Sequence, residues 1–365
     1  MKFLHTADWQ IGMRATVLGD KGERVRAARL ESARNVIELA GRERVEFVVL
    51  AGDTFEHNGV ERLKVREVAK ILGGAGCPVF IIPGNHDPLA PGSVWEDTIW
   101  NEWTNLHVLT EPKPVEISAA TLYPCPVSAG DSRDDSTDWI HAQGDTVAIG
   151  IAHGSVDGAK YRQPLPIPRD AAQARGLDYL ALGHFHSTKL YADQSGGVHM
   201  AYSGTHESTA FTERDSGNVL IVDIEHPGAK PRIQTVRTGS LYWLSLSRKI
   251  KKPGQTQALA AALDALSAPE RTLVDCTLAG VLFGSEYEAL SRLSEIIEGR
   301  FLFGRHDLTH LVSDETAPEW IEMLPEGYLR EAARELLCMA AGDPPDRVAA
   351  DALREYSMLW REVCK

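Results

Sequence analysis

CPVFIIPGNHD, running from Cys77 to Asp87, is the stretch whose reading decides how this chain folds. Val79 to Ile82 is a short, wholly apolar run, as expected of a strand buried on both faces of a parallel sheet. Pro83 and Gly84 end it abruptly and present Asn85, His86 and Asp87 in a loop at its carboxyl end. Open α/β sheets carry their chemistry at that edge. An amide, an imidazole and a carboxylate in succession suit metal binding and proton handling. Alone, they suit a polar helix-capping loop equally well.

Working back from this stretch, Phe3 and Leu4 begin a strand that ends at Ala7-Asp8. Glu23 to Ala40 carries Val25, Leu30, Ala33, Val36, Ile37 and Ala40 at helical spacing. Phe47 to Ala51 is a second apolar run, closed by Gly52-Asp53, and Glu61 to Leu72 is a second amphipathic helix. Strand, helix, strand, helix, strand predicts parallel pairing through right-handed crossovers.

Working forward, Val108-Leu109, Val115–Ile117 and Thr121–Tyr123 are short β candidates, followed by a polar, acidic loop at 128–138. Val147 to Ala152 ends at His153-Gly154, and Leu177 to Leu182 ends at Gly183-His184-Phe185-His186. Further β segments at 189–192, 199–202, 218–224 and 232–236 read as a second sheet packed on the first. Beyond Gly239, a βαβαβ order within about 70 residues suggests a small accessory domain. The chain beyond Pro318 reads as helical: 327–340, a break at Gly342-Asp343-Pro344-Pro345, then 347–363.

The 365-residue length implies two or three domains, and 43% hydrophobic content suits a globular chain with a sizeable core. No apolar run is long enough to span a membrane, and MKFLHTADWQ turns polar too early for a signal peptide. Cys77, Cys125, Cys276, Cys338 and Cys364 are odd in number and lack CxxC spacing, so reduced cytosolic thiols are expected. A formal charge of −13 argues against a broadly basic nucleic-acid-coating surface, though not against a local basic groove or bound cations.

Every strong strand in the first half stops at a metal-capable side chain: Asp8, Asp53, Asn85-His86, His153, and His184 with His186. Parallel strands bring such ends to one edge. A carboxylate shared between two cations, completed by Asn oxygen and His nitrogen, suits Mn²⁺, Fe²⁺ or Zn²⁺ better than Ca²⁺. Two metals roughly 3.5–4 Å apart are a standard device for hydrolysing phosphate esters.

The ordered set Asp8-x-Gln10, Gly52-Asp53, Gly84-Asn85-His86-Asp87, His153-Gly154 and Gly183-His184-Phe185-His186 resembles the calcineurin-like metallophosphoesterases over about residues 1–225. HTADWQIG, with Tyr202-Ser203-Gly204-Thr205, Glu213 and Gly217, is similar to the SbcD-type DNA-repair nuclease branch. The resemblance implies an α/β fold: a β-sandwich flanked by helices over 1–239, a small α/β capping domain over 240–312 and a C-terminal helical segment over 313–365. It implies two divalent metal ions, Mn²⁺ first among them. Asp8, Asp53 and His186 would hold one, and Asp53, Asn85, His153 and His184 the other. His86 would act on the scissile phosphate, with Asp87 orienting it. The family pattern is D-x-H where this chain has Gln10, whose oxygen binds such metals less strongly than imidazole. The expectation from that difference is a first metal site that is present but weaker, or that relies on an extra water.

The same resemblance implies DNA as substrate, an SbcC-like SMC-type ATPase docked on the C-terminal helices, a homodimer, and a cytoplasmic protein associated with the nucleoid when bound to DNA. Arg248, Lys249, Lys251 and Lys252 are candidate DNA contacts. Trp95, Ile99 and Trp103 recur at helical spacing and are candidates for a subunit interface. Two other readings stand beside the nuclease: a small-substrate phosphodiesterase or phosphatase, and a non-catalytic DNA-binding subunit permitted by Gln10.

Overall fold

The computed structural model describes residues 1–363 apart from 119, 129–131, 144, 158–162, 194–195, 284–285, 314–318 and 343–345. Cys364, the Pro318 boundary, the Pro344-Pro345 helix start and part of the 128–138 loop lie outside the described residues. The chain divides into two compact units, Met1–Tyr242 and Trp243–Lys365.

The first unit contains two six-stranded sheets. β1 (Lys2–Thr6), β2 (Phe47–Ala51), β3 (Val79–Ile82) and β4 (Leu106–Val108) pair in parallel, in that order. β5 (Val115–Ile117), β6 (Ala120–Cys125) and β7 (Val147–His153) begin the second sheet. β8 (Ser155–Val156) and β9 (Pro166–Ile167) form a separate small pair. β10 (Tyr179–Gly183), β11 (Lys189–Ala192) and β12 (Val198–Tyr202) then complete the second sheet in the order β11-β12-β10-β7-β6-β5. β13 (Asn218–Asp223) and β14 (Arg232–Arg237) do not extend it, contrary to expectation. They return to the first sheet, where β13 pairs antiparallel with β1 and β14 with β13. Leu220 and Val222 thereby join the core between the sheets, and Val219 and Ile221 the core beneath the helices.

Alternation along each strand sorts side chains between layers, because successive residues face opposite ways. Leu4, Val48, Leu50, Val79 and Ile81 face the helices α1 (Gly22–Glu43) and α2 (Arg62–Gly73). Phe3, Phe47, Val49, Phe80 and Ile82 face the second sheet, meeting Leu122, Ile149, Ile151 and Ala181. Ala148, Ala152, Leu180 and Leu182 fill the outer side of that sheet. The first half is therefore a sandwich of two sheets rather than one sheet with a single catalytic edge.

One polar group crosses the inter-sheet core. His5 is fully buried; its Nδ1 meets the Tyr179 hydroxyl at 3.0 Å and its Nε2 the Leu182 carbonyl at 3.1 Å. Burial drives its pKa down to about 3, so the ring is neutral. Tyr179→Phe strands one buried ring nitrogen. It is expected to cost about 1–3 kcal/mol in urea unfolding; an unchanged midpoint would show that the bridge adds nothing to stability.

Residues 94–102 form short 3-10 turns, Val94–Glu96 and Thr98–Glu102, instead of a continuous helix. Trp95 and Ile99 are buried with Trp100 against Phe55, so they belong to the core and are not surface available to a partner subunit. Trp103 is half-buried.

The second unit has the expected βαβαβ order: β15 (Tyr242–Ile250), a helix Gln255–Asp264, β16 (Thr272–Leu282), a helix Tyr287–Arg300 and β17 (Phe303–Ser313). Both helices pack on a core of Leu263, Val274, Cys276, Leu293 and Ile297. Helices Tyr328–Ala340 and Arg347–Val363 follow. Leu336, Leu337, Leu353, Tyr356 and Trp360 pack among themselves and on Trp320, which leaves Leu329, Val348 and Leu359 exposed. No helix among the described residues is long and apolar enough to cross a membrane.

Candidate metal centre

The strand ends named by the sequence converge from two sheets. β1, β2 and β3 deliver Asp8, Asp53, and Asn85 with His86, whereas β7 and β10 deliver His153, and His184 with His186. Asp8, Asp53 and His153 offer ligand atoms all within 4.8 Å of one another. Asn85 Oδ1 lies 2.8 Å from both His153 Nε2 and His184 Nδ1, and Asp53 Oδ2 is 3.4 Å from His153 Nε2. The donors are oxygen and imidazole nitrogen in a buried setting, the set a borderline divalent cation takes.

The backbone is bent to achieve this. Asp8 (φ 54°), Gln10 (47°), Asp53 (52°) and His184 (106°) all adopt the left-handed region, at a cost on the order of 1–3 kcal/mol each. Hydrogen bonds between loops hold the turns: Asp8 N donates to Gly52 O, Gln10 N to Asp53 O and Ile11 N to Thr54 O. The glycines beside the motifs allow close approach. A Cβ on Gly84 would lie 2.2 Å from Asp53 Oδ1, and one on Gly52 2.3 Å from His153 Nδ1.

Ring orientation is set from outside the cluster. His153 Nδ1 donates to the Ala51 carbonyl at 2.9 Å, which turns Nε2 inward. His186 Nδ1 donates to Glu213 Oε1 at 2.7 Å, leaving its Nε2 available. Carboxylates behind metal-ligating imidazoles fix the tautomer in this way. Glu213 is itself held by the Thr209 amide at 2.8 Å and the Thr209 hydroxyl. The His184 backbone amide donates to Asp8 Oδ1 at 2.9 Å and so ties the second sheet to the first.

Burial raises Asp8 to about 6, partly opposed by the His153 and His186 charges. Burial also pushes Asp53 up, but the His153 charge and hydrogen bond outweigh it and hold Asp53 at about 2. Reciprocally, burial lowers His153 while Asp53 lifts it to about 9. Asp53 and His153 therefore favour one another's charged forms, and a cation held through His153 Nε2 would compete with the ring's proton. Burial and the His153 charge push His184 down to about 4, which suits a neutral ligand ring.

Two expectations change. Asp87 does not orient His86: it is fully buried, and its oxygens accept from the Gly84 and Phe55 amides at 2.7 and 2.9 Å. Its carboxylate closes the turn, while His86 Nδ1 lies 3.0 Å from the Glu56 carbonyl. The exposed His86 ring thus keeps Nε2 free. Gln10 turns its amide nitrogen to Asp53 Oδ2 at 3.0 Å, so here it is a hydrogen-bond donor to the shared carboxylate. Arg248, Lys249, Lys251 and Lys252 lie in the second unit, exposed at and just beyond the end of β15.

Arg29 was not singled out by the sequence reading. It is fully buried on α1 and donates to the Asp8, Trp9 and Glu207 carbonyls at 3.3, 3.0 and 2.6 Å and to Thr205 Oγ1 at 3.1 Å. Its signal was positional: Arg29 lies four residues from both Val25 and Ala33, inside the buried stripe of the helix. His206, from the loop that follows Tyr202-Ser203-Gly204-Thr205, is buried against Trp9.

Residues 1–188 match the family model described as calcineurin-like phosphoesterase. Over 347 residues the chain is 25% identical to YhaO of Bacillus subtilis (strain 168), an uncharacterized metallophosphoesterase, across 91% of this chain and 76% of that one. The solved structure of TT1561 from Thermus thermophilus aligns at TM-score 0.42 and 12% identity, covering 65% of this chain and 98% of that one. Purple acid phosphatase PPD1 from yellow lupin seeds aligns at TM-score 0.42 and 11% identity, covering 66% and 52%. With the family model spanning more than half of the chain and the strand-end cluster inside it, the chain belongs to the calcineurin-like phosphoesterases and is a metal-dependent phosphoesterase hydrolase.

Proposed function

We propose that the protein is a DNA phosphodiesterase of the SbcD type that works with an SMC-type ATPase. The observation that carries the phosphodiester chemistry is the seam of the two sheets, where Asp8, Asp53, Asn85, His153 and His184 bring oxygen and nitrogen donors together beside the exposed His86. Asp8, Asp53 and His186 would hold one divalent cation, and Asp53, Asn85, His153 and His184 a second, with Mn²⁺ the first choice. When bound, such a pair supplies Lewis acidity that offsets phosphoryl charge and eases deprotonation of water. His86 donates from Nδ1 to the Glu56 carbonyl, which turns Nε2 outward; with the ring protonated on both nitrogens, Nε2 would donate to a phosphoryl or leaving oxygen. Gln10 keeps Asp53 oriented by its amide hydrogen bond.

DNA as substrate is supported by features beyond the cluster. Glu213, part of the segment similar to SbcD-type nucleases, backs His186. A further unit of more than 100 residues carries four exposed cations in five positions. We assign nuclease chemistry to 1–239, DNA contact to 240–312 and ATPase docking to 313–365, where Leu329, Val348 and Leu359 are available.

The test is Mn²⁺-dependent cleavage of linear and hairpin DNA beside bis-p-nitrophenyl phosphate, with His86→Ala as control. Cleavage of both is expected. Hydrolysis of the small ester alone would move the reading to a small-substrate phosphodiesterase, and inactivity on both to a non-catalytic subunit. Converting Arg248, Lys249, Lys251 and Lys252 to glutamine is expected to weaken DNA binding and flatten its salt dependence, the slope falling by about 0.7–0.9 per lost phosphate contact. An unaltered slope would remove these residues from the DNA interface.

A further inference from the structure

Between the two site histidines of the last motif stands Phe185, a large apolar side chain that is 47% exposed. It is well supported from behind. Its ring centroid lies 5.7 Å from that of Tyr202, which is buried and doubly anchored. The Tyr202 hydroxyl donates to the Gly154 carbonyl at 2.6 Å and accepts from the Val156 amide at 2.9 Å. Tyr191 continues the aromatic row, 6.0 Å from Tyr202.

Cations are interleaved with these rings. Lys189 Nζ lies 5.7 Å from the Phe185 centroid and 5.0 Å from that of Tyr191, and Arg169 Cζ lies 5.5 Å from the Tyr191 centroid. Arg169 has Asp157 at 3.5 Å, yet its side chain is 67% exposed. In a chain of net charge −13, two exposed cations and an exposed ring thus lie together, the ring carried by the residue between His184 and His186. Packing alone accounts for Tyr202 and Tyr191, which are buried, but not for an exposed ring held on a rigid base. Alternating rings and cations complement a polymer of alternating bases and phosphates.

We infer that Phe185, Lys189 and Arg169 form a subsite for a single-stranded nucleotide segment next to the scissile phosphate. A base stacks on Phe185, its flanking phosphate meets Lys189, and the strand continues towards Arg169. This subsite rests on the nuclease reading and adds a place and a chemistry for the strand outside the metal centre.

The experiment uses full-length protein carrying His86→Ala, with Mn²⁺ present, and fluorescence anisotropy of two labelled oligonucleotides of equal length. One is ordinary single-stranded DNA and the other is built entirely of abasic residues. The base-bearing strand is expected to bind roughly tenfold more tightly. Adding Phe185→Leu should erase that preference while the abasic strand binds as before, and Phe185→Trp should restore it. Lys189→Gln should weaken both strands and lower the salt slope by about 0.7. Retention of the base preference by Phe185→Leu overturns the subsite, as does equal binding of both strands by the parent. Failure of the nuclease reading looks different: the unsubstituted protein then hydrolyses bis-p-nitrophenyl phosphate with Mn²⁺ and leaves DNA intact.

Discussion

Asp53→Asn is expected to lower kcat for phosphodiester hydrolysis by at least about 10³-fold, some 4 kcal/mol in the barrier. The side chain stands where the two halves of the cluster meet. Its Oδ1 accepts from the His86 amide at 2.9 Å, and its Oδ2 accepts from Gln10 at 3.0 Å and lies 3.4 Å from His153 Nε2. Asparagine preserves the volume and the acceptor facing the His86 amide. Gln10 can rotate its amide to offer oxygen to the new NH₂ group. What disappears is the negative charge that both proposed cation positions share. The variant should therefore remain folded by circular dichroism, bind Mn²⁺ more weakly by calorimetry and turn over slowly. A kcat within tenfold of the parent, on a folded variant, would remove Asp53 from the centre of the chemistry.

Gln10 takes on a sharper meaning beside this. Imidazole at that position would offer a ligand atom, whereas the amide present spends its hydrogens on the carboxylate that other groups must share. A weaker first metal site, the expectation set by Gln10, would have two sources: a poorer donor type, and an Asp53 oxygen already engaged.

The site was legible because its grammar is local. A buried apolar run halted by glycine or proline, with a metal-capable residue next, can be read from a few letters, and PGNHD, GD and GHFH each say it. What could not be read was which sheet a strand joins. Asn218–Asp223 shows the same apolar pattern whether it extends β12 or lies beside β1; pairing is a tertiary choice, and here it closes the first sheet. The Asp87 role was misjudged for a related reason. The family resemblance implied that Asp87 orients His86, but the turn that presents His86 needed its own amides satisfied, and Asp87 was the group within reach. Trp95 and Ile99 show the limit of periodicity: spaced like a helix face, they lie on consecutive 3-10 turns folded inward.

Arg29→Met is expected to destabilise the metal-free protein by about 3–5 kcal/mol, because one buried guanidinium serves two loops at once. It donates to the Asp8 and Trp9 carbonyls on one side and to Thr205 Oγ1 and the Glu207 carbonyl on the other. Methionine fills the space of the side-chain stem but takes the Arg29 donors from the Asp8 and Trp9 carbonyls in a dry interior, while the Glu207 carbonyl keeps the Thr205 hydroxyl. It also removes the positive charge near Glu207, whose buried carboxylate is held by Ser32, Ser208, Ser240 and Leu241 donors. The consequence for the site runs through the backbone. Asp8 is held at a φ of 54° with its carbonyl turned towards Arg29, and in that conformation its carboxylate accepts from the His184 amide. Urea unfolding measures the first effect. Mn²⁺ titration of Arg29→Lys measures the second, since lysine keeps the charge but its compact ammonium cannot span both loops. Manganese affinity should fall about 10- to 100-fold in that variant, the scale seen when supports behind metal ligands are removed. If Arg29→Lys binds Mn²⁺ like the parent while Arg29→Met unfolds easily, Arg29 is a folding element alone. Loss of affinity in a stable Arg29→Lys protein instead makes the arginine the brace that holds Asp8 in position.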